Sequence, residues 1–230
     1  MLYEDPHLQI GAKCDFQEAQ GRVALFLGNK GDVPLQQLRL DVHAGPGVTL
    51  QGVTAAPPTL AARQQVQVLV TLACAGAFSA QSPTSVALSY SMGGSHAACT
   101  LQLPVVPTKF LVPAPAMENA LFYNAWRALA GPPQKLETVL TVTPELAARG
   151  LPGWEALFAS LRLHVKHGVD PNRLNIFAAS SLCNPAGALC IVRLESDARN
   201  AAQFRLTVAS ADAALAAAVR ELVMQQATAA

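Results

Sequence analysis

The sequence predicts an α+β protein in two parts: an N-terminal immunoglobulin-like β-sandwich, then an α/β part built on an antiparallel sheet backed by helices. Three observations predict it. About seven short runs in the first half alternate apolar and polar residues, with turn residues between them. Pro104, Pro107, Pro113 and Pro115 then interrupt the chain as a stiff, extended connection. Beyond them the patterns run helix, strand, helix, three strands, helix. The expected parts are residues 1–110 and 111–230.

The first strand starts at residue 7, where Leu8, Ile10, Ala12, Cys14 and Phe16 point one way and Gln9, Gly11, Lys13 and Asp15 the other. In the second, Val23, Leu25 and Leu27 oppose Arg22, Ala24 and Phe26, and Gly28-Asn29-Lys30-Gly31 supplies a turn. Leu38, Leu40 and Val42 alternate with Arg39, Asp41 and His43, and a short strand follows from Val48 to Val53. Between residues 64 and 72, Val66, Val68, Val70 and Leu72 point inward and Gln65, Gln67, Leu69 and Thr71 outward. Val86, Leu88 and Tyr90 are joined to Cys99, Leu101 and Leu103 by a Gly93-Gly94 hairpin turn. Trp126 and Trp154 both lie outside this half, which excludes an extracellular module with a core tryptophan beside a disulfide.

In the second part, residues 117 to 129 have high helix propensity and Gly131-Pro132-Pro133 stops them. Phe122 and Trp126 are four apart and Tyr123 and Trp126 three apart, so one helix can join the three rings into a continuous patch. Such a patch is buried core or a docking surface. Leu136 to Val142 reads as a strand, and Thr143 then caps a short helix through Ala148 with Pro144 in its first position. Residues 154 to 165 read as a helix. Strands follow at about 174–180, 188–195 and 202–208, and a last helix opens at Ser210 as its cap. Arg193 and Glu195 share the strand face opposite Val192 and Leu194, while Arg205 opposes Phe204 and Leu206. Two arginines therefore stand outward from neighbouring strands, which by pattern alone describes a solvated sheet face.

Composition narrows the function. A 51% hydrophobic content supports a real core, and a net charge of +1 leaves no basic footprint for nucleic acid. Five cysteines without clustered spacing suit reduced thiols in a cytosolic protein. No apolar run is long enough for a membrane helix, so direct membrane insertion is not expected, and Met1-Leu2-Tyr3-Glu4-Asp5 does not open a signal peptide. His164, His167, Cys183 and Cys190 lack the tight spacing of a structural zinc site. There is no phosphate-binding glycine loop, nucleophile elbow or carboxylate pair. Neither an enzyme nor a cofactor is expected.

Leu2-Tyr3-Glu4-Asp5, Leu8-Gln9-Ile10-Gly11, Gly21-Arg22, Gly28-Asn29-Lys30, Gln65-Val66-Gln67, Asp170-Pro171-Asn172, Arg193-Leu194-Glu195 and Arg205-Leu206-Thr207 carry a resemblance over essentially the whole chain. In this order and spacing they resemble the C-terminal appendage of the α subunit of adaptor protein complex 2, the plasma-membrane clathrin adaptor. The resemblance implies a fragment of a larger subunit in a heterotetrameric complex, cytoplasmic at clathrin-coated pits. It also implies a sandwich followed by a platform, each binding short linear motifs in disordered regions of endocytic accessory proteins. For the platform it implies Asp-Pro-Phe, Asp-Pro-Trp and Phe-x-Asp-x-Phe motifs, held by Phe122, Tyr123, Trp126, Arg193, Glu195 and Arg205. There Tyr123 and Trp126 would offer a flat surface and the arginines would grip a carboxylate. For the sandwich it implies Trp-x-x-Phe motifs, held by Lys13, Phe26 and Gln65, all three of which the alternation above places outward. Tyr123 stands where the family usually has phenylalanine, Ala209 where it has a further arginine, and the segment 196–204 is one residue longer. A related coat subunit's appendage is the alternative, with different motif preference.

Overall fold

The structure, a computed structural model, describes residues 1–79, 81–116, 118–129, 131–197 and 199–229. Its contacts divide the chain into two compact units, Met1–Ala75 with Gln81–Val105, and Gly76–Ala80 with Val106–Ala230.

The first unit is a two-sheet sandwich of strands β1 (Tyr3–Glu4), β2 (Leu8–Gln17), β3 (Gln20–Asn29), β4 (Leu35–His43), β5 (Val48–Val53), β6 (Thr59–Leu60), β7 (Gln65–Cys74), β8 (Ser85–Met92) and β9 (Ser95–Gln102). The sheet orders are β1-β2-β3-β7-β5 and β6-β4-β8-β9. The inner faces are the expected ones: Leu8, Ile10, Val23, Leu25, Leu27, Val68, Val70 and Leu72 are buried from one sheet, and Leu38, Val86, Leu88 and Tyr90 from the other, joined by Leu35, which was not expected. Strands β1 and β6 were not expected, because two residues are too few for a period of two to register. The expected turn at Gly28-Asn29 is instead the end of β3. Buried Asn29 donates from its amide to the carbonyls of Val33, Leu60 and Ala61 and accepts from the Gly31 N–H, so one side chain organises the loop that follows.

Asp5 does the same for the N-terminus. Its carboxylate accepts from the Tyr3 hydroxyl at 2.9 Å, the Tyr90 hydroxyl at 2.8 Å and the backbone N–H groups of His7 and Leu8 at 2.7 and 2.6 Å. Burial pushes this carboxyl up, but the four donors outweigh it and hold it below the usual carboxylate range. A depressed folded pKa contributes stability that is present above the unfolded value of about 3.9 and is lost as pH falls through the folded value. We expect Asp5→Asn to destabilise the first unit by about 2 kcal/mol at neutral pH. The difference should shrink below about pH 4. Hydrogen-exchange protection of β2 across pH measures both.

The second unit contains a 3-10 turn at Pro107–Phe110, β10 (Leu111–Pro113), α1 (Asn119–Ala128), β11 (Lys135–Thr141), α2 (Pro144–Ser160), β12 (His164–Lys166), β13 (Ile176–Leu182), β14 (Leu189–Asp197), β15 (Asn200–Ser210) and α3 (Ala213–Thr228). Its antiparallel sheet has the order β10-β13-β14-β15-β11, and β12 also pairs with β13. One face carries Val192, Leu194, Phe204, Leu206 and Val208, all buried, with Trp154 of α2 stacked edge-on against Phe204 and α3 packed along β15. The other face meets α1.

Four expectations are corrected. The proline-rich stretch is not a bare extended connection: Pro107–Phe110 forms the 3-10 turn and Leu111–Pro113 joins the sheet, with Pro113 at a strand end where its missing N–H costs nothing. The helix expected over 154–165 ends at Ser160. Arg162, at φ 55°, reverses the chain so that His164–Lys166 pair with β13. The helix capped by Thr143 continues past Ala148, broken by a non-helical Gly150 at φ 55°, ψ −141°. The last helix is capped by Asp212, which accepts from the N–H groups of Ala214 and Leu215. Ser210 is buried and accepts from Asp212 N–H instead. Met117, the expected start of the aromatic helix, lies outside the described residues. No described helix is long and apolar enough to cross a membrane.

Candidate functional site

On the α1 side of the second sheet, register builds three rows. Ala179, Ile191, Ala209 and Lys135 form one, Phe177, Arg193, Thr207 and Glu137 the next, and Glu195, Arg205 and Val139 the third. Helix α1 covers the first row: Phe122 and Trp126 pack with Phe177, Ala179, Ile191 and Ala209 in one buried cluster. Ala209, where a long side chain would stand under the helix, is fully buried. The third row stays open around a depression of about 350 Å³ lined by Val139, Glu195, Gln203 and Arg205. The longer segment 196–204, in which Ala198 is outside the described residues, forms the far edge. Ser196 pairs with Phe204 but Asp197 with Asn200, so residues 201–203 bulge with no partner on β14.

The three rings of α1 do not form one exposed patch. Phe122 is 0% and Trp126 8% exposed, both edge-on to Phe177 at 5.6 and 5.4 Å, while Tyr123 is 44% exposed. A lysine covers each inward ring. Lys135 Nζ lies 4.1 Å over Trp126 and Lys166 Nζ 5.1 Å over Phe122. Phe122 is therefore the wall behind Trp126 and presents no surface itself.

The arginines are also occupied. Arg193 lies 5.5 Å over Phe177, donates from Nε and Nη2 to Asp170 at 3.0 and 2.7 Å, and pairs through Nη1 with Glu195 at 2.9 Å. Arg205 pairs with Glu137 at 3.3 Å. Asp170 also accepts from Asn172 N–H and the Asn175 amide. Burial raises its carboxyl, but the Arg193 hydrogen bonds, these donors and the Arg193 charge hold it below the usual range. The Asp170-Pro171-Asn172 turn and the Arg193-Leu194-Glu195 strand are thus one structure.

On the sandwich, Lys13 and Gln65 are exposed and Phe26 half-buried, all on the outward face of their sheet. Phe26 stands between Gly11 and Gln67 in register, and Gly28 faces Gln65. Two glycines beside the ring leave a depression of about 240 Å³ lined by Gln9, Gly11, Phe26, Gly28, Lys30 and Gln65. Lys13 is outside it, one outward position along β2 opposite Ala24.

Reasoning from sequence missed Phe177, Asp170 and Lys135. Lys135 had a signal: it alternates with Glu137 and Val139 on a strand that was expected to start one residue later, at Leu136. Asp170 stands in the Asp170-Pro171-Asn172 run quoted for the resemblance, but nothing in the sequence joins it to Arg193; only the fold does.

The chain is thus a β-sandwich unit followed by a helix-on-sheet unit, each with a depression on an outward sheet face. Residues 1–105 match the family described as adaptin C-terminal domain, and residues 109–227 that described as alpha adaptin AP2, C-terminal domain; the chain belongs to the alpha adaptin C-terminal domain family. It is 33% and 32% identical over 228 residues to the AP-2 complex subunits alpha-2 and alpha-1 of Arabidopsis thaliana, covering 98% of this chain and 22% of each relative. The chain thus spans about a fifth of the length of these relatives. Among solved structures, a yeast GGA1 GAE domain aligns at 18% identity over 45% of this chain and 96% of that one, with a TM-score of 0.37.

Proposed function

We propose that this chain is the non-enzymatic appendage of a clathrin adaptor subunit, which recruits endocytic accessory proteins at the cytoplasmic face of coated pits. Asp-Pro-Phe, Asp-Pro-Trp and Phe-x-Asp-x-Phe motifs dock on the second unit beside Tyr123 and Trp126, in reach of Arg193, Glu195 and Arg205. Trp-x-x-Phe motifs dock on the first at Phe26, Gln65 and Lys13. The observation that carries the reading is the open half of the second sheet, in a member of this family, where an aromatic helix edge borders a row of paired charges. The rest of the adaptor complex is reached through the parent subunit.

Each contact is weak. A motif of a few residues engages one ring and one charge and loses conformational freedom, so dissociation constants of about micromolar or weaker are expected. Several motifs on one partner and many adaptors in one coat raise the effective concentration, giving assembly that is strong and reversible. Calorimetric titration with one peptide, repeated with the other already saturating, tests the arrangement. Two sites give unchanged dissociation constants in both orders; mutual exclusion, or no binding of either peptide, contradicts it.

A further inference from the structure

On the three rows described above, Arg193, Arg205 and Lys135 carry the positive charge, and the two arginines are paired by the protein's own carboxylates. Arg193 is bracketed by Asp170 and Glu195, and Arg205 is paired with Glu137. Lys135 is different. Its ammonium donates to the Trp126 carbonyl at 2.9 Å and rests on the Trp126 ring, and among the described residues no carboxylate pairs with it. Two of its three donor hydrogens are left for another acceptor. It is half-buried, and its neighbour in register is the fully buried Ala209, so the position beside it offers no competing side chain. Burial first, and the Arg193 charge second, hold its pKa below the usual lysine range; the opposite charge of an arriving carboxylate offsets both.

The geometry points to Lys135 as the specificity-determining residue of the second unit's motif site: it takes the motif's carboxylate and, in moving to it, uncovers the Trp126 face for the motif's ring. This rests on the proposed docking of acidic aromatic motifs there. It reassigns the carboxylate grip expected of Arg193 and Arg205, whose partners a ligand would have to displace. It also couples the two halves of recognition. A motif without a carboxylate leaves the ammonium on the indole, where it competes with the incoming ring.

The test compares an Asp-Pro-Phe peptide with an Asn-Pro-Phe peptide of the same shape without the charge, by calorimetry, on the unaltered protein and on Lys135→Gln and Lys135→Arg. The unaltered protein is expected to favour the acidic peptide by about tenfold, the scale of one charge-assisted hydrogen bond. Lys135→Gln should bring the two affinities within about twofold of each other, and Lys135→Arg should keep most of the preference. Tryptophan fluorescence confirms that each variant is folded. A preference that survives Lys135→Gln, or an unaltered protein that binds both peptides equally, overturns the role of Lys135 while leaving the motif site standing. An unaltered protein that binds neither peptide overturns both.

Discussion

Trp126→Ala is expected to abolish Asp-Pro-Phe binding and also to destabilise the second unit by about 3 kcal/mol, as truncation of a large buried ring does. The ring is 8% exposed, held edge-on by Phe177 and capped by Lys135, so its removal opens the cluster that seats α1 on the sheet. Both tryptophans lie in the second unit, so denaturant unfolding followed by the remaining Trp154 emission reports that unit alone. A variant that loses the peptide with an unchanged unfolding midpoint would contradict the placement of Trp126 in the core. Tyr123→Ala separates the two roles. Its ring is exposed, so stability should move by no more than about 0.5 kcal/mol while binding weakens.

Asp170→Ala carries the second large effect. The carboxylate holds two guanidinium nitrogens of Arg193, one backbone N–H and one side-chain amide, and its own side chain is 6% exposed against 26% for Arg193. Removing it leaves Arg193 with Glu195 alone and unties the turn at residues 170–175. Charged hydrogen bonds at a partly buried site put the cost at about 2 kcal/mol. Because the folded pKa of Asp170 is depressed, its contribution is present above the unfolded value of about 3.9 and disappears as pH falls through the folded one. The unaltered protein and Asp170→Ala should therefore differ at neutral pH and converge in acid, as pH falls through the depressed folded value. Unfolding midpoints by tryptophan fluorescence at several pH values measure this; a gap that persists into acid would assign the effect to packing.

The sandwich was legible in the sequence because half-buried strands write their faces in a period of two. Phe26, Gln65 and Lys13 stand outward as the alternation requires. Helix α1 was legible as a helix, but the fate of its rings was not. Helical spacing places Phe122, Tyr123 and Trp126 on adjoining positions, and only the small Ala179 and Ala209 beneath decide that two of them sink and one stays out. The strand at His164–Lys166 was hidden because the reversal falls on Arg162, a residue that rarely takes a positive φ and so gives no turn signal. Asp170 reached Arg193 through tertiary folding across 23 positions, a distance at which no local pattern speaks. Lys135 was lost to a boundary placed one residue late.

The central claim is that two classes of motif use two separate surfaces on one chain. Calorimetric titration of Asp-Pro-Phe and Trp-x-x-Phe peptides against the unaltered protein, Tyr123→Ala and Phe26→Ala tests it on exposed or half-exposed side chains whose loss leaves the fold in place. Tyr123→Ala should weaken only the Asp-Pro-Phe peptide and Phe26→Ala only the Trp-x-x-Phe peptide. Loss of both peptides to the same substitution, or affinities that neither substitution changes, would contradict it.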